Sequence, residues 1–348
     1  MHIKFLFTIF LISMIINLQA QDSSKGPLNI SGSVDTYYRY DVNNPKASPY
    51  NSYSSFTKSQ NSFELGMISI KGEYQIRKVG MVADLGFGKR SEEFSYNDSG
   101  SSQVIKQLFI NYSVTSKLKL SLGSWATHLG YESVDPYANG NYSMSYLFSY
   151  GPFSHTGLKA EYALTDYTSF LLGIVNPVDL KQASNFPKMI IGQITTGSGD
   201  GKFKSSLNYL GGKNNDSGKL YQADVVLNYT LSEKLSFGYN GTLQLRQHHQ
   251  LEKWARPESW WGSALYTNIH PNEWLGFTLR TEYFNDKRNV LGLNTDVFET
   301  TFSTNFKIEN LILIPEIRFE NSGRKIYSKR DGLVNNTGNF LFAAVYKF

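Results

Sequence analysis

The 348-residue sequence contains no cysteine, which excludes a disulfide scaffold and any thiolate metal site. After the N-terminal segment no stretch approaches the roughly 18 continuous apolar residues of a membrane-spanning helix. Long amphipathic helical periods are also missing, which argues against a soluble two-domain enzyme of this size. Charge of one sign is not in large excess: 34 basic against 29 acidic residues, spread without a run, so no nucleic-acid partner is indicated.

What is present starts with the leader. Residues 1–20 read MHIKFLFTIFLISMIINLQA: a lysine, a nearly unbroken apolar run over 5–16, and a small residue at Ala20. This is the three-part form of a secretory signal peptide, and the run is too short for a helical span of roughly 20 residues. Cleavage is expected near Ala20, leaving 21–348 as a single domain. Loss of Lys4 makes the mature balance 33 basic to 29 acidic. Aromatics are abundant, with 23 Tyr, 23 Phe and 5 Trp.

Period-two alternation then recurs along the chain, the signature of strands with one apolar and one wet face. Over 236–246, Phe237, Tyr239, Leu243 and Leu245 oppose Ser236, Asn240, Thr242, Gln244 and Arg246. Over 275–283, Leu275, Phe277, Leu279 and Tyr283 oppose Thr278, Arg280 and Glu282. Leu313, Ile317 and Phe319 oppose Glu316 and Arg318, and Leu158, Ala160 and Tyr162 oppose Lys159 and Glu161. Strand cores are expected at 28–40, 62–75, 79–88, 104–114, 118–125, 153–164, 167–175, 189–196, 203–210, 221–231, 235–246, 261–269, 274–284, 298–307, 311–320 and 339–348. Short turns are expected at 77–78, 115–117, 165–166, 199–201, 232–234, 271–272 and 309–310. Long polar loops are expected at 41–61, 89–103, 126–152, 176–188, 211–220, 247–260, 285–297 and 321–338.

Tight turns alternating with long loops around an even number of strands describe a transmembrane antiparallel up-and-down β-barrel of the Gram-negative outer membrane. In such barrels the turns are periplasmic and the loops extracellular. In hydrocarbon a sheet must close on itself to pair its backbone, and about sixteen strands enclose an aqueous channel. The last strand sets Phe340, Phe342, Ala344, Tyr346 and Phe348 on one face. A terminal aromatic of this kind resembles the signal read by the barrel assembly machinery.

Several stretches carry a likeness to a known family: SGSVDTYYRY at 31–40, GSWATHLGYE at 123–132, NYSMSYLF at 141–148, GPFSHTG at 151–157, LRTEYFND at 279–286 and PEIRFE at 315–320. Together they resemble the putative β-barrel porin-2 family, the OmpL-like porins, over essentially the whole mature chain. The chain departs from the family pattern at Met144, where a basic residue is expected. The resemblance implies an outer-membrane porin passing small hydrophilic solutes passively. The alternative is a barrel without an open channel, serving as surface receptor, adhesin or structural protein.

If the alternation holds, Asp35, Arg39, Arg280, Glu282, Glu316 and Arg318 face inward. They then either line the pore and shape its field or only solvate and brace the inner wall. Three acids and three bases give no basis for an ion preference. The longest loop, 126–152, reads first as a surface loop. The alternative is inward folding, with Glu132, Asp135 and Tyr137 at a constriction. Catalysis is not expected: Ser154-His155 and His248-His249 are sequence neighbours that point to opposite faces of a strand. The stretch GSGDGK at 197–202 lacks phosphate-loop spacing. No metal or cofactor is expected. The expected partners are outer-membrane lipid and lipopolysaccharide, the assembly machinery through Phe348, small hydrophilic solutes and further copies of the chain.

Overall fold

The computed structural model describes residues 26–250 and 253–348. The leader and its cleavage site lie outside the described residues. Sixteen antiparallel strands form the wall: β1 Leu28–Asp41, β2 Ser62–Ile76, β3 Val79–Phe87, β4 Ile105–Ser113, β5 Leu118–Ala126, β6 Ser154–Ala163, β7 Thr168–Val175 and β8 Met189–Gly197. There follow β9 Phe203–Asn215, β10 Gly218–Ser232, β11 Leu235–Gln250, β12 Glu258–Asn272, β13 Leu275–Asn285, β14 Asp296–Ile308, β15 Leu311–Ser322 and β16 Asn336–Lys347. Each strand pairs with its sequence neighbours, and β1 pairs with both β2 and β16, so the sheet closes without an edge. Closure leaves no unpaired backbone facing hydrocarbon, as a membrane-spanning sheet requires.

The alternation sorts the side chains as lipid and lumen demand. Leu158, Leu243, Leu279, Ile317, Phe319, Phe340 and Phe342 stand on the outer surface. Their inward neighbours Asn240, Thr242, Arg280, Glu282, Glu316 and Arg318 are buried. C-terminal Phe348 exchanges backbone hydrogen bonds with Gly32 at 3.0 Å, sealing the last strand to the first.

Two of the expected long loops are not loops. Residues 211–220 form a hairpin, with Asn215 opposite Gly218 and ladders continuing on both sides. The polar composition there reflects strands rising above the bilayer, where alternation of apolar residues is no longer enforced. Similarly, half of 247–260 extends β11 and β12, with Arg246 opposite Glu258 and a short added pairing of His249 with Trp254. The turn expected at 271–272 sits at Glu273-Trp274, with Pro271 inside β12.

The largest departure from a simple cylinder is inside it. The segment between β5 and β6 does not stay on the surface but enters the barrel and packs against its inner wall. Tyr142, Met144 and Tyr146 are fully buried there. The bore is therefore not the unobstructed channel that strand number alone suggests.

Candidate functional site: the inward loop and the channel it leaves

A loop threaded through a barrel carries backbone N–H and C=O groups that need partners. On one side the wall supplies ions. Glu282 accepts hydrogen bonds from the backbone N–H of Tyr146 and Leu147 at 2.8 and 2.7 Å. Glu316 accepts those of Tyr142 and Ser143 at 2.8 and 3.2 Å. Arg280 donates to the carbonyl of Ser143, and Arg318 to that of Met144, each at 2.7 Å. Carboxylates thus take the loop's donors and guanidiniums its acceptors, the stronger charge-assisted kind of hydrogen bond.

The loop returns ions of its own. Glu132 pairs with Arg280 at 2.6 Å and accepts from the backbone and hydroxyl of Ser145, both at 2.8 Å. Tyr142 donates its hydroxyl to Asp35 at 2.5 Å, and Tyr146 to Glu320 at 2.8 Å. Glu299 on β14 neutralises Arg280 from behind at 3.1 Å. Arg90, from the loop after β3, lies 3.8 Å from Asp35 and over the Tyr142 ring. Arg39 serves another loop, donating to the carbonyls of Tyr50 and Ser59 at 3.0 and 2.6 Å.

All six charged residues expected on the inner wall are on it, each at most 3% exposed. What covers them is protein. Of the three loop residues, Glu132 is an anchor and Asp135 pairs with Lys106 at 2.5 Å. Tyr137 stays 37% exposed on the periplasmic side. Met144 packs with Phe56, Phe94, Val134, Phe148 and Phe153, which gives an apolar residue its place here.

The opposite wall holds the loop more lightly. Gln193 donates to the carbonyl of His128 at 3.2 Å, and the Tyr131 ring stacks on Tyr266 at 4.1 Å. Asp224 on β10 accepts the N–H of Gly130 at 3.0 Å, together with Asn208, Asn240 and Thr242. Along this wall the remaining space is stacked. An extracellular cavity of about 350 Å³ reaches Leu220, Gln244 and Arg246. A periplasmic one of about 420 Å³ is lined by Val226, Asn228, Ser236 and Asn268. Between them a gap of about 10 Å³ is bounded by Leu129, Gly130, Leu147, Phe148, Gly151 and Pro152 of the loop and by Gln222, Asp224 and Thr242 of the wall.

Sequence reasoning missed Asp224, Glu299 and Glu320, and the role of Tyr142, which it placed in the 126–152 loop without a partner. Asp224 and Glu299 carry a usable signal, since each is an acid at the inward parity of an alternating strand. Nothing local marks Tyr142, whose partner Asp35 is 107 residues away.

A closed sixteen-stranded antiparallel barrel with an apolar outer surface, a polar interior and an infolded loop defines an outer-membrane porin. The family model for "Putative beta-barrel porin-2, OmpL-like" matches residues 27–348, and the chain belongs to that family. No curated relative matches the sequence. Solved structures share the fold at low identity. The outer membrane channel DcaP of Acinetobacter baumannii superposes with a TM-score of 0.62 at 11% identity, covering 94% of this chain and 99% of that one. The trimer form of Vibrio cholerae OmpT gives 0.59 at 11%, covering 93% and 100%. Salmonella typhi OmpF in complex with daunomycin gives 0.59 at 10%, covering 94% and 99%.

Proposed function

We propose that the mature chain, freed of residues 1–20 on export, forms one barrel domain that passes small hydrophilic solutes along the β10–β11 wall. The observation that carries this reading is the order of inward residues on β10. Leu220 meets the outer cavity, Gln222 and Asp224 the gap, and Val226 and Asn228 the inner cavity. Successive inward positions of one strand thus run from vestibule to neck to vestibule. A gap of about 10 Å³ has room for about one water, so passage of anything larger requires the loop edge at Leu129-Gly130 or Gly151-Pro152 to shift. The six inner-wall charges act on this reading mainly as anchors of the infolded loops. Assembly through Phe348, contact with lipopolysaccharide and association with further copies fit the same picture, as does the trimer form of the Vibrio cholerae neighbour.

Liposome swelling with sugars of graded size tests the proposal. Uptake confined to the smallest solutes is expected. Absence of swelling and of conductance would favour a receptor, adhesin or structural barrel.

A further inference from the structure

The two vestibules differ in charge. The outer one holds two carboxyl groups beside its two bases: Lys58 pairs with Glu93 at 2.5 Å, and Arg246 shares the lining with Asp179, whose carboxyl is pushed up to about 7 by burial. The periplasmic vestibule has no carboxylate among its lining residues; its ionisable side chains are Lys307, His270 and two tyrosines, Tyr131 and Tyr137. The Lys347 ammonium lies 5.9 Å over the ring of Tyr137, which lines the same cavity. Lys204 sits opposite Asn228, another lining residue, at the inward parity of β9. None of these three lysines is ion-paired among the described residues.

The rest of the turn-side inner wall does not cancel this excess. Lys71 pairs with Glu73 at 2.7 Å, while Lys119 and Lys159 share the single carboxylate of Glu161 at 3.4 Å each. Lys106 is closed within its own cluster with Asp84 and Asp135. The short turns carry Asp166, Asp200, Glu233, Glu273 and Glu309 against Arg77, Lys78, Lys117, Lys202 and Lys234, an even balance. Charges lining a confined mouth act on an ion within it, whereas those beyond about 8–10 Å are screened at physiological salt. Two features oppose the lysines: the Lys106 cluster, whose two carboxylates outnumber its one ammonium and whose field reaches Tyr137 beneath Lys347, and Asp224 at the neck. The Asp224 oxygens are occupied by four neutral donors, so it is not free to coordinate a passing cation.

We infer that this pore favours small anions, and that Lys204, Lys307 and Lys347 set the preference from the periplasmic side. The inference rests on the porin reading and names its solute class. Zero-current potentials across planar bilayers in a potassium chloride gradient test it. Wild-type protein is expected to pass chloride in preference to potassium. The triple variant Lys204→Glu, Lys307→Glu, Lys347→Glu should bring the permeability ratio past unity toward potassium, and Asp224→Asn should deepen the wild-type preference. The three lysines are solvent-facing, so the triple change leaves the packed interior intact; a Lys→Gln triple variant should lose the preference without reversing it. Potassium preference in the wild type, abolished by Asp224→Asn, would overturn the inference and give selectivity to the neck. A chloride preference unmoved in the triple variant would also overturn it. A complete lack of conductance would instead sink the porin reading itself.

Discussion

The wall formed by β13, β14, β15 and β1 and the wall formed by β8 to β11 meet the same inward loop in different ways. The first is dense in buried charge: Arg280, Glu282, Glu299, Glu316, Arg318 and Asp35 are each at most 3% exposed. The second presents mostly amides and hydroxyls, with Asp224 alone bearing charge where the loop touches it at Gly130. Space remains on the second side. Charge on the inner face of a barrel therefore need not line the water; here the dense cluster is spent on fixing a loop. The passage follows the wall that carries little charge at mid-depth, with lysines that are unpaired among the described residues at its periplasmic mouth.

Breaking the charged side should have the largest effect. Arg280→Ala leaves buried Glu132 without its cation and Glu299 with only the more distant Arg318, at 3.8 Å. Removing one partner of a buried pair typically costs about 3–5 kcal/mol. The folded barrel should lose that order of stability in denaturant titration from detergent, with larger and noisier channel steps as the loop loosens. An unchanged midpoint would remove Arg280 from the anchor. Tyr142→Phe deletes one hydrogen bond to a carboxylate and keeps the ring, so a loss of about 1.5–3 kcal/mol is expected. A value near zero would show that Asp35 is satisfied by Arg90 and by the backbone N–H of Met67, which donates to it at 3.1 Å.

A smaller effect should come from the loop's exit into β6, beyond the charged wall. Asp179, in the loop after β7, accepts the N–H of Phe153 and Ser154 at 2.7 and 2.8 Å and the hydroxyl of Tyr96 at 3.2 Å. Burial pushes its carboxyl up to about 7, above an unfolded value of about 3.9. The folded state thus holds a proton that the unfolded chain releases earlier. Asp179 contributes most to stability below about pH 4, and that contribution declines as pH rises toward 7. Asp179→Asn should flatten this part of the profile, measured as thermal midpoint against pH; a parallel profile would contradict the assignment.

The outer surface was legible because hydrocarbon tolerates nothing else. Leu243, Leu279 and Phe319 had to alternate with polar neighbours, and the turns had to be short at one end. Inward parity was equally legible, placing Arg280, Glu282, Glu316 and Arg318 on the inner face. What those residues touch was not. Glu316 meets the backbone of Tyr142 from 174 positions away, and no periodicity encodes which loop will fold inward. The extensions of β9 to β12 above the membrane were hidden for a related reason, since strands in water carry loop-like residues such as those at 213–217.

The lightly held wall closes on the loop at the contact between Asp224 and Gly130. Asp224→Ala removes that hold and leaves the ionic anchors untouched. Single-channel recording of this variant beside the wild type should show discrete steps in both, clearly larger in the variant. Equal steps would mean that the neck along β10 and β11 is not where the channel is narrowest.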